Sequence, residues 1–494
     1  MEILANLAGG LAEATTPTAL LFCFIGVFLG TLVGALPGIG SSATIALLLP
    51  ITYYMGPTDA IIMLAGVYYG SEYGGSITSI LLNIPGGAAS AITCLDGNAL
   101  AKKGKAGVAL FITAVASFVG GTCGIVLVAL FAPVLAAFAM SFAPADYFAV
   151  MVLGLIASCT IASGSPLKGL TMVVLGVLIG CVGMDANSGE LRLTFGSLDL
   201  FDGIGLVPLA MGLFGLGEII TALSNEEHQN IRQKITLSSM LPNRSETLRS
   251  IAPTARGSLL GSLLGALPGA GPTIASFLAY GLEKRISKNA SQFGTGMVEG
   301  VVAPESANNA AAQTAFIPTL SLAIPGSASM ALMLGALMIH GISPGPLMVE
   351  RHPDVFWGLI ASFWIGNILL LVLNIPLIGM WVQILNISPK KLYPAVICLM
   401  CIGAYSVSLS VFDVSMMLAF GFLGYFMQKA GFSPAPLLMG FILGPLMEEY
   451  FRRAMILSDG NLIVFVERPI SLIVLFAVPL LILWPMIGRR LQPQ

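Results

Sequence analysis

The sequence predicts an all-α polytopic membrane protein: two inverted-topology repeats with re-entrant hairpins and broken helices, giving roughly 11–12 membrane segments. Three observations predict it. Of 494 residues, 56% are hydrophobic and 9% charged, against about 25% charged in an average soluble domain. A soluble chain of this composition would leave too much apolar surface facing water. One glycine- and proline-rich phrase is written twice, GALPGIG at 34–40 and GALPGAG at 265–271, each inside an apolar run. Charges of opposite sign flank the two copies: Glu13 and Asp59 bracket the first, whereas Arg256 precedes the second and Lys284, Arg285 and Lys288 follow it.

A membrane helix needs about 20 mostly apolar residues. Clear spans fall at 108–134, 146–164, 169–184, 203–222, 356–380, 392–412, 415–428, 434–448 and 468–488. Regions 17–95 and 253–345 are apolar but interrupted by Gly, Pro, Ser and Asn, as hairpins and broken spans would be. Placing Lys102, Lys103 and Lys105 in the cytoplasm carries Lys168, Lys390, Lys391, Lys429, Arg489 and Arg490 to the same side, and the acidic segment 185–202 to the opposite one. Arg452 and Arg453 fall outside, where the adjacent Glu448 and Glu449 partly neutralise them. The division is then a first transmembrane repeat at 1–223, a cytoplasmic polar linker at 224–252, a second transmembrane repeat at 253–450, and an extra C-terminal helix at 451–494.

Other phrases recur in the same order. Thr44-Ile45-Ala46 returns as Thr273-Ile274-Ala275, LLNIPGGAAS (81–90) as LSLAIPGSAS (320–329), DYFAV (146–150) as LYPAV (392–396), and PLAMG (208–212) as PLLMG (436–440). Five matches in register argue internal duplication. The charge map has the first tip enter from outside and the second from the cytoplasm, the arrangement secondary transporters use. Gly costs roughly 1 kcal/mol and Pro about 3 in a helix interior, so a phrase kept twice marks backbone wanted unwound. Such backbone at membrane depth is tolerated where it is buried in protein or lines a polar cavity. Its freed N–H groups and helix N-termini suit carboxylate oxygens, and exposed carbonyls suit a cation.

The candidate contacts follow from that geometry. At the tips they are Gly38, Gly40, Ser41 and Ser42, and Gly269, Gly271, Pro272 and Thr273. In VYYGSEYGGSITSILLNIPGG they are Tyr73, Gly74, Gly75 and Ser76, close to Glu72, and in VEGVVAPESANNAAAQTAFIP they are Asn308 and Asn309. Glu305, Asn308 and Ser76 are the candidate ion-coupling set. An acid inside a membrane span is expensive and functional by default, and Glu305 is expected to stand on a break made by Pro304. The competing assignment is structural: these groups cap broken helices and bond across the bundle.

Little else carries chemistry. Net charge −2 gives no electrostatic case for nucleic acid. The N-terminus lacks a basic n-region and does not resemble a cleaved signal peptide. Insertion through its own first helices, most simply into a bacterial inner membrane, is expected. The seven cysteines read as small buried hydrophobes, and the CxxC at Cys398 and Cys401 has no second ligand pair. His228, His340 and His352 lack metal-site company. No cofactor is expected, and no catalytic residue or metal beyond Na⁺ as an alternative to H⁺.

GALPGIG with YGSEYGGSITSILLNIPG, and GALPGAGPTIASFLAYGLEKR with PESANNAAAQTAFIPTLSLAIPGSASMALMLGALMIHGISPGP, resemble the large membrane subunit of tripartite tricarboxylate transporters, the TctA type; so does GELRLTFGSLDLFDGIG. The resemblance runs over essentially the whole chain. It implies a small membrane subunit and a periplasmic solute-binding protein as partners. It also implies a citrate-like carboxylate as substrate and coupling to Na⁺ or H⁺ without an ATPase. An elevator-like displacement of the broken-helix core against scaffold helices such as 108–134 and 356–380 is expected from the paired hairpins, with rocking as the other option. A passive anion channel and an intramembrane enzyme are the alternatives. No Ser-His, HExxH or paired-aspartate arrangement supports the enzyme.

Overall fold

Helices form wherever the apolar runs predict them, and the interruptions fall at the Gly- and Pro-rich phrases. A computed structural model describes residues 2–36, 40–161, 165–185, 188–224, 237–267, 271–384 and 389–490. The first half contains α1 (Glu2–Ala14), α2 (Pro17–Ala35), α3 (Ser41–Thr52), α4 (Pro57–Leu82), α5 (Ala106–Ala139), α6 (Pro144–Ile161), α7 (Pro166–Gly180), α8 (Leu206–Ala210) and α9 (Gly217–Ser224). A π-helical turn, Met211–Leu216, joins the last two, and a two-stranded hairpin, β1 (Gly183–Met184) with β2 (Leu191–Arg192), follows α7. The remainder comprises α10 (Leu237–Met240), α11 (Arg244–Gly265), α12 (Gly271–Ile286), α13 (Glu299–Thr314), α14 (Phe316–Leu322), α15 (Ala328–Ile339), α16 (Leu347–Arg351) and α17 (Pro353–Asn374). Then come α18 (Ile378–Ile384), α19 (Pro389–Ser408), α20 (Val411–Lys429), α21 (Pro434–Leu457), α22 (Val464–Glu467) and α23 (Pro469–Arg490). Most of the polar linker, 225–236, lies outside the described residues.

The protein is a multi-pass membrane protein. The helices α2, α17, α20 and the stretch Ala101–Ala139 are each long and apolar enough to cross a bilayer. Helix α7 shows why water is the wrong solvent. Its Leu167, Leu170, Val174 and Leu178 form one exposed apolar stripe, while Gly169, Met172, Val173 and Gly176 are buried on the other face. A helix apolar on both faces belongs in lipid or a large core. By contrast α3 and α15, each of 12 residues, rise only about 18 Å, short of the roughly 30 Å hydrocarbon thickness.

Glycine spacing sets the packing. In α2, Gly26, Gly30 and Gly34 lie one turn apart, and an added Cβ at each would meet the carbonyl oxygens of Met63, Val67 and Ser71 in α4 at 2.2–2.5 Å. Gly257, Gly261 and Gly265 in α11 stand in the same way against the carbonyls of Ala303, Ala307 and Ala311 in α13, at 2.1–2.3 Å. Small residues let the two backbones touch. Both copies place the last glycine of the stripe at the start of GALPG. A second match follows: Asn83 (φ 58°), at the end of α4, and Ala323 (φ 57°), at the end of α14, adopt left-handed conformation just before the two Ile-Pro-Gly phrases. For Ala this costs roughly 1–2 kcal/mol. Between the halves, Tyr68 and Tyr69 of α4 meet Phe316 of α14 and Phe363 of α17 edge-on, at 6.0 and 5.9 Å.

Charged residues gather at helix ends, as the sequence led us to expect for Arg452 and Arg453: they pair with Glu448 at 2.6 Å and Glu449 at 2.5 Å. The cysteine expectation needs correction. Cys23 and Cys159 are buried, but Cys123 and Cys398 are exposed on helix surfaces, where lipid and not protein would cover a small apolar side chain.

Helix α11 begins with a capping box. The Asn243 side chain accepts the Glu246 N–H at 2.9 Å, and Glu246 Oε2 accepts the Asn243 N–H at 2.8 Å. Lys105, from the other half, donates to Glu246 Oε1 at 2.6 Å. Burial pushes this carboxyl up, but Lys105, the Asn243 N–H and Arg249 together hold it below the ordinary 4.5. A depressed pKa contributes stability above the unfolded value, and that stability is lost as pH falls through the folded one. Glu246→Ala should therefore cost about 1 kcal/mol at neutral pH. The gap in thermal midpoint between this variant and the wild-type protein should close below the ordinary carboxylate value. A gap constant across that range would refute the assignment.

Candidate functional site

Two helix N-termini converge on three serines. After the first tip, the Gly40 N–H donates to Glu218 Oε2 at 3.0 Å, and α3 starts at the next residue. The Ser41 and Ser42 hydroxyls lie 2.9 and 3.1 Å from the Ser329 hydroxyl. Ser329 is in the first turn of α15, whose N-cap, Ser327, accepts the Met330 N–H at 3.3 Å. The positive ends of two short helices thus meet through hydroxyls that can both donate and accept. The carboxylate already on Gly40 belongs to α9.

The second tip is built differently. Gly271 has φ +50° with open space around its Cβ position, Pro272 is buried and Thr273 half-buried. Among the described residues no hydrogen bond joins Gly271–Thr273 to Gly40–Ser42. Gly38 and Gly269 lie outside the described residues.

The polar residues of α4 and α13 sort into satisfied and unsatisfied. Ser76 donates to the Tyr73 carbonyl at 2.7 Å, and the Tyr73 hydroxyl to Asn367 Oδ1 of α17 at 3.0 Å. Gly74 stands against the Thr31 carbonyl, where a Cβ would be 2.3 Å away, and Gly75 beside the Ser90 hydroxyl. Asn309 donates to Ser117 of α5 at 2.8 Å and to the Glu305 carbonyl at 3.0 Å. Its neighbour Asn308 is fully buried, yet neither amide atom has a hydrogen-bond partner. Glu305 is 1% exposed; one carboxylate oxygen accepts a short hydrogen bond from Thr93 and the other has no partner. Glu72, half-buried on α4, faces Asn308 and lies within electrostatic reach of Glu305. Tyr68, one turn before Glu72, has a buried hydroxyl without a hydrogen-bond partner. Among the described residues no Lys, Arg or His forms an ion pair with Glu72 or Glu305.

The break expected at Pro304 is elsewhere. Helix α13 runs unbroken from Glu299 to Thr314 through Pro304. A proline in the second turn forfeits one backbone bond, and burial against α5 and α11 offsets that loss. The chain unwinds instead at Ala323, beyond α14. Sequence inspection also passed over Glu218. The signal was present, an acid within the apolar run 203–222, but its partner comes from the other end of the repeat.

Comparison with known proteins agrees with the architecture. The model of the tripartite tricarboxylate transporter TctA family matches residues 20–439. The chain is 48% identical, over 95% of its own length and 94% of the relative's, to an uncharacterized 52.8 kDa protein in the TAR-I ttuC' 3' region of Agrobacterium vitis. It is 54% identical over 192 residues to an uncharacterized protein in the TAR-II ttuC' 3' region of the same organism; that match covers 39% of this chain and 79% of the relative. No solved structure matches. A predominantly helical membrane chain, a family match from residue 20 to 439, and a 48% identical relative matched nearly end to end have one reading: the chain belongs to the tripartite tricarboxylate transporter TctA family.

Proposed function

We propose that this transporter subunit imports tricarboxylates or related carboxylates, coupled to Na⁺ or H⁺. The substrate arrives on a periplasmic solute-binding protein, and a small membrane subunit completes the complex in the bacterial inner membrane. The observation that carries the reading is the junction of α3 with α15. A tip N–H already holds a carboxylate, that of Glu218, and two helix N-termini with three hydroxyls stand beside it. Oriented N–H groups and helix dipoles favour anions without a fixed positive charge, and among the described residues no ion pair involves this junction. Gly40, Ser41 and Ser42 serve as substrate contacts here, with Gly38, Tyr73 to Ser76, Gly269, Gly271, Pro272, Thr273, Asn308 and Asn309 as the wider set. Glu305, Asn308 and Ser76 serve the ion.

Uptake of labelled carboxylates into proteoliposomes holding this subunit and its small partner tests the reading. Accumulation above equilibrium that needs both an imposed ion gradient and the binding protein is the expected result. Gradient-independent equilibration without the binding protein would establish a passive channel instead.

The halves act as inverted repeats, supported by the matched glycine stripes and the matched left-handed turns. Alternating access is by elevator displacement of the tips and of α4 and α13 against α5 and α17. Ile112 of α5 and Val302 of α13 share one apolar cluster. Disulfide formation in the I112C/V302C double variant should stop uptake, and reduction should restore it. Equal uptake oxidised and reduced would sink the elevator.

A further inference from the structure

Glu72, Tyr68, Asn308 and Glu305 bring polar atoms from both halves of the chain to one place between α4 and α13. We propose that these four residues, with Thr93 fixing Glu305, form a single sodium site, so that the coupling centre is assembled from both halves. The inference rests on the transport reading above and deepens it.

Satisfaction of hydrogen bonds carries the argument. Asn308 is 0% exposed, Glu305 1% and Tyr68 2%, and three of their oxygens have no partner: Asn308 Oδ1, Glu305 Oε2 and the Tyr68 hydroxyl; the Asn308 amide NH2, a donor no cation can satisfy, interacts with Glu72. Each unpaired buried polar atom costs about 1–3 kcal/mol, and native structures keep few of them. Their neighbours Asn309, Ser76 and Tyr73 are all paired. Other unpartnered atoms occur among the described residues, on Thr113, Ser262 and Gln313 for example, but these three oxygens sit on or one helical turn from two carboxylates, Glu305 and Glu72. Thr93 donates to the other oxygen of Glu305 and leaves Oε2 free. Glu72 faces Asn308 from the opposite helix.

Charge fixes the sign of the ligand. Two carboxylates within electrostatic reach, with no basic side chain among the described residues paired to either, repel any anion and call for a cation or a proton. A proton satisfies one carboxylate oxygen. It leaves the Asn308 carbonyl and the Tyr68 oxygen without partners. A hard cation instead takes several oxygens at once: carboxylate, amide carbonyl and phenol are all present. Magnesium keeps several waters, which oxygens set between packed helices leave little room for, so sodium fits best. The acids come from α4 and α13, which the elevator reading places in the moving core, so the ion would travel with that core.

Sodium alone is the probe, with the purified full-length protein in detergent at constant ionic strength, choline replacing sodium. The thermal midpoint of the wild-type protein should rise saturably with Na⁺ at fixed pH. Glu72→Gln and Glu305→Gln should each raise the half-saturating Na⁺ concentration about tenfold or more, the loss of one charged contact of about 1.4 kcal/mol. Tyr68→Phe keeps the ring and removes a hydroxyl that has no close hydrogen-bond partner and interacts with Ser327, so it should fold as well as the wild type yet need severalfold more Na⁺; this variant decides the matter if an acid variant fails to fold. A midpoint that follows pH but not Na⁺ would overturn the sodium assignment. An unchanged Na⁺ response in both Glu72→Gln and Tyr68→Phe would overturn the shared site. Because no substrate or gradient is involved, either failure is separate from failure of the uptake experiment.

Discussion

Gly261→Leu should abolish accumulation of folded protein in the membrane. A Cβ at this position would lie 2.1 Å from the Ala307 carbonyl oxygen and 2.6 Å from its Cα. Real Cβ atoms do not approach so closely, and the obstacle is helix backbone, not the end of a flexible side chain. Overpacking a core usually costs about 1–3 kcal/mol, when side chains can shift. Here α11 and α13 must part along their length. The penalty should therefore consume most of a typical 5–15 kcal/mol folding free energy. Gly281→Ala in α12 is the control: nothing lies within 4 Å of its Cβ position, so the change should be neutral or stabilise by up to about 1 kcal/mol. Fluorescence-detected gel filtration of both variants checks the pair. A monodisperse Gly261→Leu peak at wild-type yield would show that the close approach is dispensable.

Glu305→Gln should leave the protein folded while gradient-driven uptake falls to background. The side chain is isosteric, and the amide can still accept from Thr93, so packing is kept. What disappears is a carboxylate whose second oxygen has no partner in the protein. Hydrogen bonds to a charged group are worth about 1.5–3 kcal/mol, so affinity for the coupling ion should fall by about 10- to 100-fold. Initial rates in proteoliposomes, measured against thermal midpoint and gel-filtration profile, separate loss of coupling from loss of fold. Normal uptake by the variant would return Glu305 to a purely structural role, with Thr93 its only purpose.

Much of the fold was legible because hydrophobic run length is a local property. The span expected at 108–134 is α5, that at 356–380 is α17 with the start of α18, and that at 468–488 is α23. The helix breaks between α2 and α3 and between α11 and α12 were legible because Gly and Pro are costly in a helix, so they are kept where the helix is meant to stop. Pro304 shows the limit of that rule. A proline near a helix start loses only one bond, and burial decides whether the helix survives, which the local sequence does not record.

The sequence by itself determined the solvent, the place of most helices, and two of the acids, Glu72 and Glu305, that stand inside apolar runs. Only the tertiary structure decided which polar groups have partners. Asn308 and Asn309 are adjacent and chemically identical, yet Asn309 meets Ser117 of α5 and Asn308 meets no partner. Consecutive residues on a helix point about 100° apart, so one faces a neighbouring helix and the other the space beside Glu72. Glu218 finds Gly40 only because the fold brings residues 178 positions apart within 3.0 Å. Composition and periodicity fix which solvent each segment prefers. Satisfaction of a buried polar group is a property of whatever the chain packs against it.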